Sequence, residues 1–330
     1  MITHDTVFIL GAGASKPYGF PTAWELKLDI IKNFHKRIQK IISGYNSYLG
    51  NYEQVLTQFI NHFRDSHNVS IDLFLSRNPL FSSIGKDAIV LSLLESEKSS
   101  LKYWFKEDIS IDWYLSIFNY MLDGLFEPED YKIFGQNKTT FITFNYDRSL
   151  ENYLYNSLLN TFSKASEDEI KEVMRKISIH HVYGELGHLP WERNSIDPSN
   201  SAITFIDYGK SEIYYPELEI YRKSIKTIKE RLPLQEGEPI FEALQNAMEI
   251  FFLGFSFGDE NMEILKDAIM NIPRFTVIHL TTLGLSEKKI KDIWKRYFKR
   301  KDDTHQSFEA SGTFIPEQID SNALLIKRIL

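Results

Sequence analysis

Four apolar runs of strand length, each closed by a polar or glycine-bearing turn, constrain this chain more than any other feature. They are Val7-Phe8-Ile9-Leu10, followed by Gly11-Ala12-Gly13-Ala14-Ser15; Thr140 to Phe144, followed by Asn145-Tyr146-Asp147; Ile177 to Tyr183, closed by Gly184; and Ile250 to Leu253, followed by Gly254-Phe255-Ser256-Phe257-Gly258-Asp259. Helical patterns follow them. Thr22 and Glu25 have the spacing of a capping box for a helix near Ala23. Asp147 is placed to cap a helix carrying Leu150, Tyr153, Leu154 and Leu158, and Asp259 to cap one with Met262, Leu265 and Ile269 inward. Phe275 to Thr281 reads as a fifth strand and Leu324 to Leu330 as a last one, with Ser286 between them capping an amphipathic helix that buries Ile290, Ile293, Trp294, Tyr297 and Phe298. Strands alternating with helices predict an α/β fold, a Rossmann-like, doubly wound, mostly parallel sheet covered on both faces.

Residues 33–137 break the alternation with aromatic-rich helical periodicity, too long for an ordinary loop. They are expected to form an inserted helical subdomain within a Rossmann domain made of residues 1–32 and 138–330. A second, less regular excursion from about 186 to 245 carries Pro190, Pro198, Pro216, Pro233 and Pro239 and is placed to cover a cleft. The absence of cysteine excludes disulfides, thiolate nucleophiles and cysteine-ligated zinc modules. A net charge of -7 argues against broad nucleic-acid binding, which needs a basic surface. The exception is local: from Glu287 to Lys301 a basic face, Lys288 through Arg300 and Lys301, is either solvated or a docking surface for an acidic partner or nucleic acid. With no leader pattern at the first residues and no apolar run of membrane-spanning length, the expectation is a cytoplasmic protein without membrane attachment.

Gly11-Ala12-Gly13 after a buried strand allows a tight turn and close approach of the backbone to a phosphate, met by free backbone N–H groups. A dehydrogenase fingerprint would place a third glycine where Lys16 stands and an acidic residue about 20 positions later, and neither is present. Extended to Gly11-Ala12-Gly13-Ala14-Ser15 and then Gly19-Phe20-Pro21, the segment resembles the first NAD-binding motif of the sirtuin family, departing from it at Thr22-Ala23-Trp24. Thr143-Phe144-Asn145-Tyr146-Asp147 resembles the second motif, in which the asparagine and the aspartate meet the nicotinamide half of NAD+. Leu253-Gly254-Phe255-Ser256 is similar to the late motif that contacts ribose and phosphate through Gly254 and Ser256. Ile179-His180-His181-Val182-Tyr183-Gly184 stands where the family has a strand ending in a catalytic histidine and a glycine.

Alignment by Gly184 leaves Tyr183 at the histidine position. Strand alternation puts His181 and Tyr183 on one side and His180 on the other. His181 is therefore assigned as the base and Tyr183 as a neighbouring wall, with His180 as the alternative and a structural core histidine still open. The resemblance thus implies cofactor contacts from Gly11, Ala12, Gly13, Ser15, Phe20, Pro21, Asn145, Asp147, Tyr183, Gly254 and Ser256, and catalysis by Asn145 and His181. No metal is expected, because adjacent strand residues diverge and no carboxylate lies at ligand spacing from the histidines.

Without cysteine the structural zinc module of deacetylase sirtuins is missing, and the pattern is similar to the zinc-free sirtuin-like domains of bacterial antiphage systems. That likeness implies an NAD+ hydrolase with NAD+ as substrate, depleting the cell's NAD+ on infection and restrained by homo-oligomerisation or by a regulatory or sensor partner. NAD-dependent deacylation or ADP-ribosyl transfer, and a catalytically silent NAD+ or ADP-ribose sensor, are the competing readings.

Overall fold

The computed structural model describes residues 1–43, 52–103, 112–195, 205–210, 212–299 and 313–328. Pro198, Arg300 and Lys301 lie outside them. Six strands form one sheet: β1 (Thr6–Leu10), β2 (Thr139–Thr143), β3 (Ser178–His181), β4 (Glu249–Leu253), β5 (Val277–Thr281) and β6 (Phe314–Glu317). Their order is β3-β2-β1-β4-β5-β6, and every pairing is parallel. This is the doubly wound Rossmann order, in which the direction of winding reverses between β1 and β4 and leaves a crevice outside the carboxyl ends of the strands. β1 is buried at all five positions, which is why it reads as a continuous apolar run and not as an alternation. Register stacks one aromatic ladder across the sheet. Phe8 lies 5.3 Å from Phe141 and 5.2 Å from Phe251, and Phe251 lies 4.5 Å from His279.

The covering helices are α1 (Ala12–Ser15), α2 (Ala23–Ile42), α3 (Tyr52–Asp65), α4 (Ile71–Arg77), α5 (Ser82–Ser100), α6 (Trp113–Leu122) and α7 (Tyr131–Phe134) before β2. After it come α8 (Ser149–Thr161), α9 (Glu167–Met174), α10 (Tyr215–Ser224), α11 (Pro239–Asn246), α12 (Asp259–Met270), α13 (Glu287–Ile293) and α14 (Ser321–Arg328). Between β1 and β2 the described residues form helices and turns. α2 opens on the Thr22–Glu25 capping box and runs unbroken through positions 32 and 33, where the sequence starts the inserted subdomain. Ser286 caps α13 by accepting from the Lys289 N–H, and a π-helical turn, Trp294–Phe298, extends it. Part of its basic face is spent within the chain, since Arg296 pairs with Asp259 and Glu263.

Three expectations need correction. Leu324 to Arg328 is not a strand but part of α14, which begins where the Asp320 carboxylate accepts from the Ala323 N–H at 2.9 Å, and Ile329 and Leu330 lie outside the described residues; a short apolar run has no period long enough to separate the two. The sixth strand lies earlier, at the sheet edge, where Pro316 is tolerated because no ladder bond is needed on its open side. Neither aspartate is the cap residue: α12 is capped by Gly258, with Asp259 in its first turn, and α8 starts two residues after Asp147.

Candidate functional site

Parallel register aligns Leu10 with Thr143 and Leu253, and Thr143 with His181. The turns that follow these residues therefore share one edge of the sheet. At that edge two turns lie backbone on backbone: the Gly11 N–H donates to the Leu253 carbonyl and the Gly13 N–H to the Gly254 carbonyl, both at 3.0 Å. Side chains have no room there. A Cβ on Gly11 would lie 2.5 Å from the Gly254 oxygen, one on Gly13 2.9 Å from the Gly254 Cα, and one on Gly254 2.1 Å from the Ala14 nitrogen. Gly254 also sits at φ +57°, in the left-handed region. The glycines are thus required by contact between two protein turns. Two amides that the sequence reading left free for a phosphate, those of Gly11 and Gly13, are thus committed to protein acceptors, and the Ala14 N–H is bonded to the Gly11 carbonyl. α6 braces the loop through its first residue, as the Trp113 indole donates to the Ala14 carbonyl at 2.8 Å.

Two cavities flank α1, and Ala12 and Ala23 line both. The larger, about 620 Å³, is bounded by Gly13, Trp24, Gly254, Ser256 and Thr281. The smaller, about 110 Å³, is bounded by Ser15, Phe20, Pro21, Asp72, Asn145 and Asp147. Asn145 ties its turn to the glycine loop: its amide nitrogen donates to the Gly11 carbonyl at 3.0 Å and to Ser15 Oγ at 2.9 Å. With both amide protons so used, the group this side chain offers a ligand is Oδ1, an acceptor. Burial lifts the Asp147 carboxyl to about 6, against the pull of Ser149 and Ser15, whose hydrogen bonds favour the ionised form. Asp72, at the start of α4, is likewise raised by burial to about 6, and its Oδ1 lies 2.9 Å from the Tyr146 hydroxyl.

The other assigned residues lie further back. Tyr183 packs its ring against Phe144 and Tyr146 and donates its hydroxyl to Asn261 Oδ1 at 2.7 Å. His181 meets Asn145 through the main chain, with Nδ1 2.8 Å from the Asn145 carbonyl and Nε2 2.6 Å from Glu151 Oε1. Burial works against charge on this imidazole, but the Glu151 carboxylate outweighs it and holds the ring protonated, up to about 10. His180, whose ring burial depresses, lines the same third cavity as His181, at the open edge of β3. The structure therefore brings Ala12, Ser15, Phe20, Pro21, Asn145 and Asp147 to one cavity and Gly13, Gly254 and Ser256 to its neighbour. It sets His181 behind them.

Residues 139–301, from β2 to just beyond the π-helical turn, match the family model of the SIR2-like domain. This chain carries a SIR2-like domain. The match begins after the glycine loop, so the domain's crevice is completed by Gly11 to Ser15 from outside the matched span. SIR2-like domains use NAD+ as substrate, and the match supports an NAD-dependent activity. No curated protein matches the chain. No helix among the described residues is long and apolar enough to cross a membrane.

Sequence reasoning missed Asp72, because nothing local marks a helix start between β1 and β2 as part of a distant crevice. It missed Glu151, Glu185 and Glu192 for a related reason. The expectation of no metal rested on the lack of a carboxylate at ligand spacing along the chain, whereas the fold gathers these three around His181 and His188.

Proposed function

We propose that the chain hydrolyses NAD+ to nicotinamide and ADP-ribose, as an effector that depletes cellular NAD+ in antiphage defence. The observation that carries this reading is the pair of unequal cavities meeting at Ala12 across the glycine loop, the smaller one holding Asn145 and two carboxyl groups. In this reading the adenosine half occupies the larger cavity, and the nicotinamide-ribose bond lies at the smaller one. As nicotinamide leaves, positive charge develops on the ribose, and ionised Asp147 and Asp72 offset it. Asn145 Oδ1 accepts from the attacking water or from a ribose hydroxyl, which fixes the nucleophile's direction. A carboxylate of the cavity takes the proton released when water adds to the ribose carbon. His181, with both ring nitrogens engaged, acts as a positioning residue that holds the Asn145 main chain from behind. The missing cysteine-ligated zinc module supports water over an acyl-lysine as co-substrate.

One observation favours a second reading, a catalytically silent NAD+ sensor: neither imidazole nitrogen of His181 is left to accept a proton. Incubating the purified chain with NAD+ and resolving the products separates the readings. Free ADP-ribose and nicotinamide in equal amounts, without an acceptor, support hydrolysis. Consumption only with an acylated or nucleophilic acceptor supports transfer, and saturable binding without turnover supports the sensor.

A further inference from the structure

Outside the NAD+ crevice, at the open edge of β3, a cavity of about 500 Å³ is lined by Glu151, His181, Glu185, His188 and Glu192. These residues come from α8, from the end of β3, and from the turn and the 3-10 helix Pro190–Ser195 that follow it. Their donor atoms form two groups, Glu151-His181-Glu185 and Glu185-His188-Glu192, with the atoms of each group within 4.8 Å of one another. Glu185 belongs to both. Its Oε2 faces His181 Nε2 at 3.8 Å, while its Oε1 faces His188 Nδ1 at 2.8 Å. We propose that this cluster is a binding site for divalent transition-metal ions, zinc or manganese, with Glu185 as the carboxylate shared between two imidazole ligands.

Three features carry the assignment. The donor set is two imidazoles and three carboxylates, which suits zinc or manganese; calcium and magnesium prefer oxygen alone, and no thiolate exists to draw softer metals. Spacing agrees with it. Ligands ~2.1 Å from a tetrahedral ion stand ~3.4 Å apart, and the His181 pairs at 2.6 and 3.8 Å and the His188 pairs at 2.8 and 3.7 Å bracket that separation. The third feature is the support behind the ring. The Asn145 carbonyl lies 2.8 Å from His181 Nδ1, the arrangement by which metal-ligating histidines donate one ring N–H to a backbone oxygen and turn the other nitrogen to the ion. That other nitrogen, Nε2, faces the carboxylates of Glu151 and Glu185 together, which a cation between them satisfies. The neighbouring guanidiniums are committed elsewhere: Arg175 bonds the Trp191 carbonyl and pairs with Glu172, and Arg148, whose charge also reaches Glu185, pairs with Glu97. An ion here fastens residues 181–192 to α8 directly behind Asn145, and the inference stands whether or not NAD+ is hydrolysed.

The test is metal uptake by tag-free protein, stripped with chelator, dialysed and titrated calorimetrically with zinc chloride and separately with manganese chloride, with thermal unfolding followed in parallel. Saturable uptake with a rise in Tm is expected. Glu185→Gln keeps the shape, removes the shared ligand and should abolish uptake; His188→Ala, at a half-exposed position, should weaken it at least ~10-fold. His180→Ala, in the same cavity but outside both groups, should bind as the parent does. Absence of uptake up to millimolar metal overturns the site, as does affinity unchanged in His188→Ala, which decides the matter even if Glu185→Gln fails to fold.

Discussion

Gly254→Ala isolates the contact between the two turns that builds the crevice. At φ +57° alanine enters the left-handed region, which costs about 1–2 kcal/mol. Its methyl group would also lie 2.1 Å from the Ala14 nitrogen and 2.3 Å from the Gly13 carbonyl carbon. Those are backbone atoms that cannot swing aside, so α1 must move away from β4, at the ~1–3 kcal/mol typical of overpacking. The sum is about 2–5 kcal/mol. Gly237 supplies the control, because it has φ +85° and a Cβ there meets nothing within 4 Å; Gly237→Ala should cost only the conformational ~1–2 kcal/mol. Urea unfolding of the two variants and the parent gives both differences, and NAD+ affinity should fall with Gly254→Ala because both cavities share the displaced loop. A Gly254→Ala loss no larger than that of Gly237→Ala would refute the interlock. By the same geometry Gly11→Val acts first on the fold, because the added side chain points at the Gly254 oxygen.

Asn145→Ala should abolish NAD+ turnover and also cost roughly 1–3 kcal/mol, since it removes the two hydrogen bonds that tie its turn to Gly11 and Ser15; product analysis and unfolding on one preparation check both, and full turnover would remove Asn145 from the chemistry. Arg148 and Glu97 form a fully buried bidentate pair with bonds of 3.0 and 2.8 Å, which links α5 to the start of α8. Arg148→Ala strands the carboxylate and should cost about 3–5 kcal/mol in urea unfolding, whereas a loss below ~1 kcal/mol would mean that Glu97 finds another partner or a proton at little cost. Asp72 has a folded pKa of about 6 against an ordinary 3.8, so between those values the native state keeps a proton that the unfolded chain has released. Its burial therefore lowers stability progressively as pH rises through that window, and the full penalty applies above it. Asp72→Asn should be more stable than the parent at pH ~7.5, by up to ~3 kcal/mol, with the difference closing towards pH ~4; an equal difference at both pH values would contradict the assignment.

The sequence by itself determined the sheet and the edge at which the chemistry gathers. β1, β2 and β4 are buried on both faces, so they appear as apolar runs, and the turns after them carry the glycines and the asparagine that tight, crowded backbone requires. Parallel pairing then places those turns together whatever the intervening lengths. Elements without such a local mark were not legible. The strand containing Pro316 goes unmarked and the short helix after Asp320 reads as a strand, because each is too short to show a period and only packing against β5 or the core decides between them. The roles of single side chains depended still more on the third dimension. Gly11 reads as an opening for a ligand, yet it faces Gly254, more than two hundred residues away. His181 and Asn145 read as two arms of one site, yet they meet through a main-chain carbonyl. Asp72, Glu151, Glu185 and Glu192 read as helix or loop acids, and only folding brings the first to the crevice and the other three to a pair of histidines. Burial and proximity decide what a carboxylate does, and both are properties of distant contacts that sequence spacing does not encode.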